Sequence, residues 1–175
     1  MRWISHRGNL TGKQPDRENS PHYIFEALAQ GYWCEIDVWL TGTGIMLGHD
    51  NPQYSVNEKM LQHPKLICHA KNKEALAYML NMKRVHCFWH ENDEYTLTSK
   101  NWIWTYPGKP AIGKKSYIAL PELNNDDITN ILDVIKSDVA ADLNLMPRWK
   151  QSIIDKYTGK EVAFDIVGGK FPSEP

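Results

Sequence analysis

The sequence predicts an α/β protein: a compact, irregular (β/α)8 TIM barrel in which some outer helices are reduced. Two observations carry this expectation. Apolar, β-branched runs of strand length alternate with segments of helical periodicity, and about eight such runs follow one another along the 175 residues. Charged and imidazole side chains recur where the early runs end, the rim at which barrel active sites form. An open doubly wound sheet is the competing arrangement. Barrels usually take about 250 residues, so a closed one here has to be pared down, as one domain spanning residues 1–175.

A first short run ends at His6 and Arg7. Ser20 followed by Pro21 then starts a helix, because Ser caps free amides and Pro fits the first helical position. Tyr23, Ile24, Ala27 and Leu28 form its buried stripe, and Gly31 ends it. Residues 32–40 are too apolar and β-branched for a surface loop and read as a strand. Residues 65–70 repeat the pattern, followed by a helix capped by Asn72 that carries Leu76, Met79 and Leu80. Residues 85–89 form the next strand, and residues 95–98 and 102–106 are extended segments joined through Ser99, Lys100 and Asn101 with no helix between them. Residues 117–120 precede a helix from about Asn125, residues 139–141 form a short strand, Pro147 opens a last helix closed by Gly159, and residues 162–167 return as a strand.

Composition narrows the function. A formal charge of -1 and a pI near 6.6 leave no basic stripe to attract a phosphate-rich polymer, so nucleic acid is not the expected partner. No run of about eighteen apolar residues occurs, and the first residues lack the charged-then-apolar pattern of a secretory leader. The expected location is the cytoplasm, with no integral membrane segment. Cys34, Cys68 and Cys87 cannot all pair, and each lies inside an apolar run, so small buried thiols are expected. The seven Trp and eight Tyr residues suit either a core short of helices or aromatic walls around a ligand.

In a strand, residues two apart share a face, so Glu35 and Asp37 converge while Cys34, Ile36 and Val38 point the other way. The same phase puts His69 and Lys71, then Phe88 and His90, on the inner face and every cysteine on the outer one. Two carboxylates and several histidines at one mouth are costly to bury unless a cation or a charged ligand compensates them. Oxygen ligands favour magnesium, calcium or manganese. Taken singly, a lone His is usually a surface or hydrogen-bonded core residue and an acidic pair a solvated face. The ordered combination is what carries weight.

That combination, His6-Arg7-Gly8, Glu18-Asn19-Ser20, Glu35-Ile36-Asp37 and Gly48-His49-Asp50, resembles the glycerophosphodiester phosphodiesterase family, within the phosphatidylinositol phospholipase C-like phosphodiesterase superfamily. Order and spacing both match over residues 1–50. The resemblance implies a metal-dependent phosphoric diester hydrolase acting on a small-molecule phosphodiester, with His6 and His49 as general acid and base, Arg7 on the phosphate, and Glu35 and Asp37 on one divalent metal ion. Further on, residues 66–71 are similar to the family's third strand, and His69 stands where a Glu usually gives the third metal ligand. Magnesium or calcium is the implied ion, while the exchange of carboxylate for imidazole at His69 admits manganese or zinc. Lys71 would stabilise charge on the phosphate, with His90 and Trp104 as further substrate-binding candidates. The resemblance also implies attack by a neighbouring substrate hydroxyl, giving a cyclic phosphate that water then opens or that leaves as product. The rival expectation is a non-catalytic barrel that binds a phosphoryl ligand, and a third is a metal-dependent hydrolase of another ester. The alcohol groups and the oligomeric state are not legible in the sequence.

Overall fold

The computed structural model describes residues 2–107, 109, 112, 115–120 and 161–166. In chain order these form β1 (Arg2–His6), α1 (Pro21–Ala29), β2 (Trp33–Thr41), β3 (Gly44–Leu47), β4 (Tyr54–Ser55), α2 (Glu58–Leu61), β5 (Leu66–Ala70), α3 (Lys73–Leu80), β6 (Cys87–Trp89), β7 (Tyr95–Leu97), β8 (Ile103–Thr105), β9 (Lys115–Ala119) and β10 (Glu161–Ile166). The expected helices near Asn125 and Pro147 and the expected strand at 139–141 lie outside the described residues.

The architecture is mixed α/β with an open sheet, and the expected closed (β/α)8 barrel is not formed. Parallel ladders run β6-β5-β2-β1-β10-β9-β8; antiparallel β3 and β4 extend from β2, and antiparallel β7 lies beside β8. Closure would need a ladder from β6 to β7, and among the described residues none exists: β6 pairs only with β5, and β7 only with β8. The cause is local. β6 is three residues long, and the chain leaving it returns through β7 instead of through a crossover helix. Residues 96–99 meet β6 by isolated bonds, with the Ser99 amide donating to the Cys87 carbonyl at 2.8 Å and Thr96 Oγ1 to the Trp89 carbonyl at 2.9 Å. A strand that spends its edge on a turn has no row of donors left for a neighbour.

The outer helical layer is thin, with three helices among the described residues. Ser20 Oγ accepts the Tyr23 amide to start α1, and Gly31, at φ 94, turns the chain back into β2. Asn72 both caps α3, accepting the Ala75 amide at 3.0 Å, and holds the Leu40 backbone of β2 through bonds of 3.2 and 2.8 Å. Between β2 and β5 stand only the hairpin β3–β4 and the one-turn α2.

Side chains divide by strand parity. Cys34, Ile36 and Val38 of β2, Cys68 of β5 and Cys87 of β6 pack outward against Ile24, Leu61, Ala75 and Met79 of the helices, and all three thiols are buried and outside any disulfide. On the opposite face Ile4, Ile67, Phe88, Trp102, Trp104 and Tyr117 fill a second core. There Phe88 of β6 stacks on Trp104 of β8 at 4.4 Å between ring centroids, so the sheet curls until its two flanks touch through aromatic rings. Each such pair adds about 0.5–1.5 kcal/mol beyond the area it buries.

Candidate active site

The polar residues on the curled face meet where β1, β2, β5 and β6 end. Arg7 and Asn19 both take left-handed backbone, at φ 55 and 61, and are tied together by the Asn19 amide donating to the Arg7 carbonyl at 3.0 Å. Gly8 lies between them and α1: a Cβ there would come within 3.2 Å of the Ile24 nitrogen, so only glycine lets the helix pack this close. The turn orders its charges. Glu18 Oε1 accepts Asn9 Nδ2 at 2.9 Å and Oε2 accepts Arg7 Nη1 at 3.1 Å, while Asn19 Nδ2 donates to Asp37 Oδ2 at 2.9 Å.

Asp37 occupies the gap in β2 where pairing to β1 has stopped and pairing to β3 has not begun. Its amide donates to Asn19 Oδ1 at 2.9 Å and its carbonyl accepts the Gly48 amide at 3.2 Å, so both backbone groups are satisfied outside the strand ladders. The second of these bonds delivers His49. Gly48 sits at φ 148, and a Cβ on it would lie 2.1 Å from the Asn51 carbonyl oxygen. Gly48→Ala is therefore expected to cost about 1–3 kcal/mol through backbone strain and to move His49, read as a lower denaturation midpoint together with lost turnover.

Glu35, Asp37 and His69 offer one ligand atom each within 4.8 Å of one another, and all three are largely or wholly buried. His69 Nδ1 is 3.1 Å from Asp37 Oδ1 and 3.8 Å from Glu35 Oε1. His69 Nε2 is 3.0 Å from the His90 carbonyl. A carbonyl only accepts, so Nε2 carries a proton, and Nδ1 then faces the two carboxylates either as a second N–H or as a lone pair aimed at a cation. Asp37 Oδ1, although buried, receives no hydrogen bond from that nearby nitrogen. Donors about 2.1 Å from a shared ion stand about 3.0–3.4 Å apart at right-angled to tetrahedral geometry. The Asp37–His69 spacing already fits, and the Glu35–His69 spacing needs only a few tenths of an ångström of contraction. An imidazole that ligates through one nitrogen and donates the other to a backbone carbonyl is the usual support of a bound metal. The three residues could hold a divalent cation once the widest of their separations, up to 4.8 Å, contracts.

No protein-family model, curated protein or solved structure matches the chain.

One cavity of about 490 Å³ opens over this group, lined by His6, Arg7, Glu35, His49, His69, Lys71, His90 and Trp104 among others. Of the site residues singled out from the sequence, all but Asp37 line this pocket, and Asp37 is paired to two of them, to Arg7 Nε at 3.0 Å and to Lys71 Nζ at 3.6 Å. Burial opposes ionisation of Asp37, but His69, Arg7 and Lys71 more than offset it and hold its carboxyl well below the usual range. Burial lowers the pKa of His6 although Glu35 Oε2 lies 3.3 Å from its Nδ1. Burial and the Arg7 charge lower that of His49, whose Nδ1 is 2.7 Å from Asp50 Oδ1. His90 contributes more than a side chain, because its carbonyl orients His69. Trp104, 4 % exposed and stacked on Phe88, is floor and core at once. Sequence reading missed Trp89 and Tyr106 in the cavity wall and the bridging work of Asn19. Only the Glu18-Asn19 step signalled the latter. Among the described residues no helix is long and apolar enough to cross a membrane.

Proposed function

We propose that the protein is a metal-dependent phosphodiesterase that cleaves a small glycerophosphodiester-like substrate by acid–base catalysis with two histidines. The observation that carries this reading is that His6, Arg7, His49 and Lys71 share one cavity with the Glu35–His69 edge of the candidate metal group. A divalent cation, when bound, would neutralise the phosphoryl oxygens. Magnesium or calcium suits the two carboxylates, and the imidazole ligand extends the choice to manganese or zinc.

The chain's own groups divide the remaining work. Arg7, fixed by Glu18 and Asp37, presents a planar guanidinium at the cavity wall for a phosphoryl oxygen. Glu35 faces His69 with Oε1 and His6 with Oε2, so one carboxylate links the ion's place to the acid–base pair. With a proton on Nδ1 directed at Glu35, neutral His6 carries its lone pair on Nε2 and takes the proton of the attacking hydroxyl. His49 returns a proton to the leaving alkoxide, with Asp50 supporting its imidazolium, and a bound phosphoryl anion opposes the Arg7 effect on its pKa.

The test is turnover of a panel of glycerophosphodiesters and a chromogenic diester after chelation and then with each of the four ions. Chelation is expected to abolish turnover and one ion to restore it. In the same series a bound ion at a hundredfold excess over its Kd should add about 2.7 kcal/mol, raising Tm by about 5–11 °C. Tight ion or phosphoryl-ligand binding without turnover on any substrate would overturn the enzyme and leave the phosphoryl-binding protein.

A further inference from the structure

Asp37 Oδ1 has two nitrogen neighbours, one of them an ammonium. His69 Nδ1 stands 3.1 Å away and Lys71 Nζ 3.6 Å away, and the oxygen accepts a hydrogen bond from neither. Its partner oxygen, Oδ2, accepts Asn19 Nδ2 at 2.9 Å and lies 3.0 Å from Arg7 Nε. His69 Nδ1 faces Oδ1, so an ion held by Glu35, Asp37 and His69 takes the oxygen beside Lys71. A divalent cation and an ammonium cannot share it, because both are positive and the carboxylate is buried where screening is weak. Arg7 is pinned on two sides by Glu18 and Asp37. Lys71 is different: among the described residues its side chain has a single ion-pair contact of 3.6 Å, it follows directly on the end of β5, and it lines the open cavity. It is the cation with somewhere to go.

We propose that Lys71 is a two-position switch that makes metal and phosphoryl binding mutually reinforcing. Without the ion its ammonium compensates Asp37; with the ion the ammonium swings into the cavity, where a phosphoryl oxygen holds it. The inference rests on the phosphodiesterase reading for the nature of the anion, but not on catalysis. It gives the chain an order of events: the ion creates the second anion-binding cation beside Arg7, and the anion prevents Lys71 from returning to compete with the ion. By linkage, each ligand tightens the other by the same factor.

The experiment is a calorimetric titration of manganese(II) into the metal-free protein, alone and with saturating dimethyl phosphate, an inert diester without a neighbouring hydroxyl, for the native chain and for Lys71→Met. In the native chain the diester is expected to tighten manganese on the order of tenfold. In Lys71→Met, manganese alone should bind more tightly than in the native chain, because its competitor is gone, and the diester effect should fall to less than about twofold. A merely structural lysine would give the opposite first sign. Coupling that survives in Lys71→Met, or manganese binding weakened by the substitution, would overturn the switch. Absent manganese binding in the native chain would overturn the switch and the metal centre together. Native coupling lost in the variant, in a protein that turns over no diester, would overturn only the enzyme reading.

Discussion

His6→Ala and His49→Ala are each expected to lower kcat on a phosphodiester by about 10²–10⁴-fold, the usual contribution of a positioned acid or base. The two variants should separate in structure. His49 is half-exposed on the Gly48 turn, so its removal disturbs little else. His6 is 7 % exposed and stands against Glu35, so His6→Gln, which keeps a donor for that carboxylate, serves as the control for packing. A fold-preserving His6→Gln with near-native kcat would remove His6 from the chemistry. The pH profile gives an independent check. A base must be neutral to act, and burial lowers His6 from its ordinary 6.5, so the acid limb of kcat/KM should lie below that pH and turnover should persist where a solvent-exposed imidazole would already be protonated. An acid limb above 6.5 would contradict the assignment.

Asp37→Ala is expected to cost about 3–5 kcal/mol of folding stability and to abolish metal binding. The substitution leaves Lys71 without its carboxylate, leaves Arg7 with Glu18 alone, and leaves Asn19 Nδ2 without its acceptor. Denaturant unfolding would show this as a lower midpoint with an unchanged slope. The same carboxylate also predicts an acid dependence. Its folded pKa lies below the ordinary 3.8, so its stabilisation is full above that pH and is lost as the pH falls further and the folded carboxylate itself takes up a proton. Asp37→Asn should remove that dependence. A variant as stable as the native chain would mean that the ion pairs around Asp37 do no net work.

Strand parity was legible because it is local. Alternation alone placed Cys34, Cys68 and Cys87 toward the helices and Glu35, Asp37, His69 and Lys71 toward the site, and the structure divides them in that way. Sheet closure was not legible, because it depends on whether β6 finds β7, an encounter decided by Ser99 occupying the β6 edge and not by any periodicity in either strand. The β3–β4 hairpin and one-turn α2 escaped for a related reason, being too short to show a period. At the site, residue types announced the candidate ligands and the histidines. The double bond from Asn19 to Asp37 spans eighteen positions, and only the folded turn brings the two together.

β2 meets β1, β5 and β3 along its nine residues, three ladders fastened to one strand. A slip of one position in any of them would exchange Glu35 and Asp37 for Ile36 and Val38, putting acid among the helices and methyl groups in the cavity. Ion binding at Glu35 and Asp37 would therefore double as a proof of register: a misthreaded chain would have nothing with which to hold an ion, and a chain that held one would have its central strand in place.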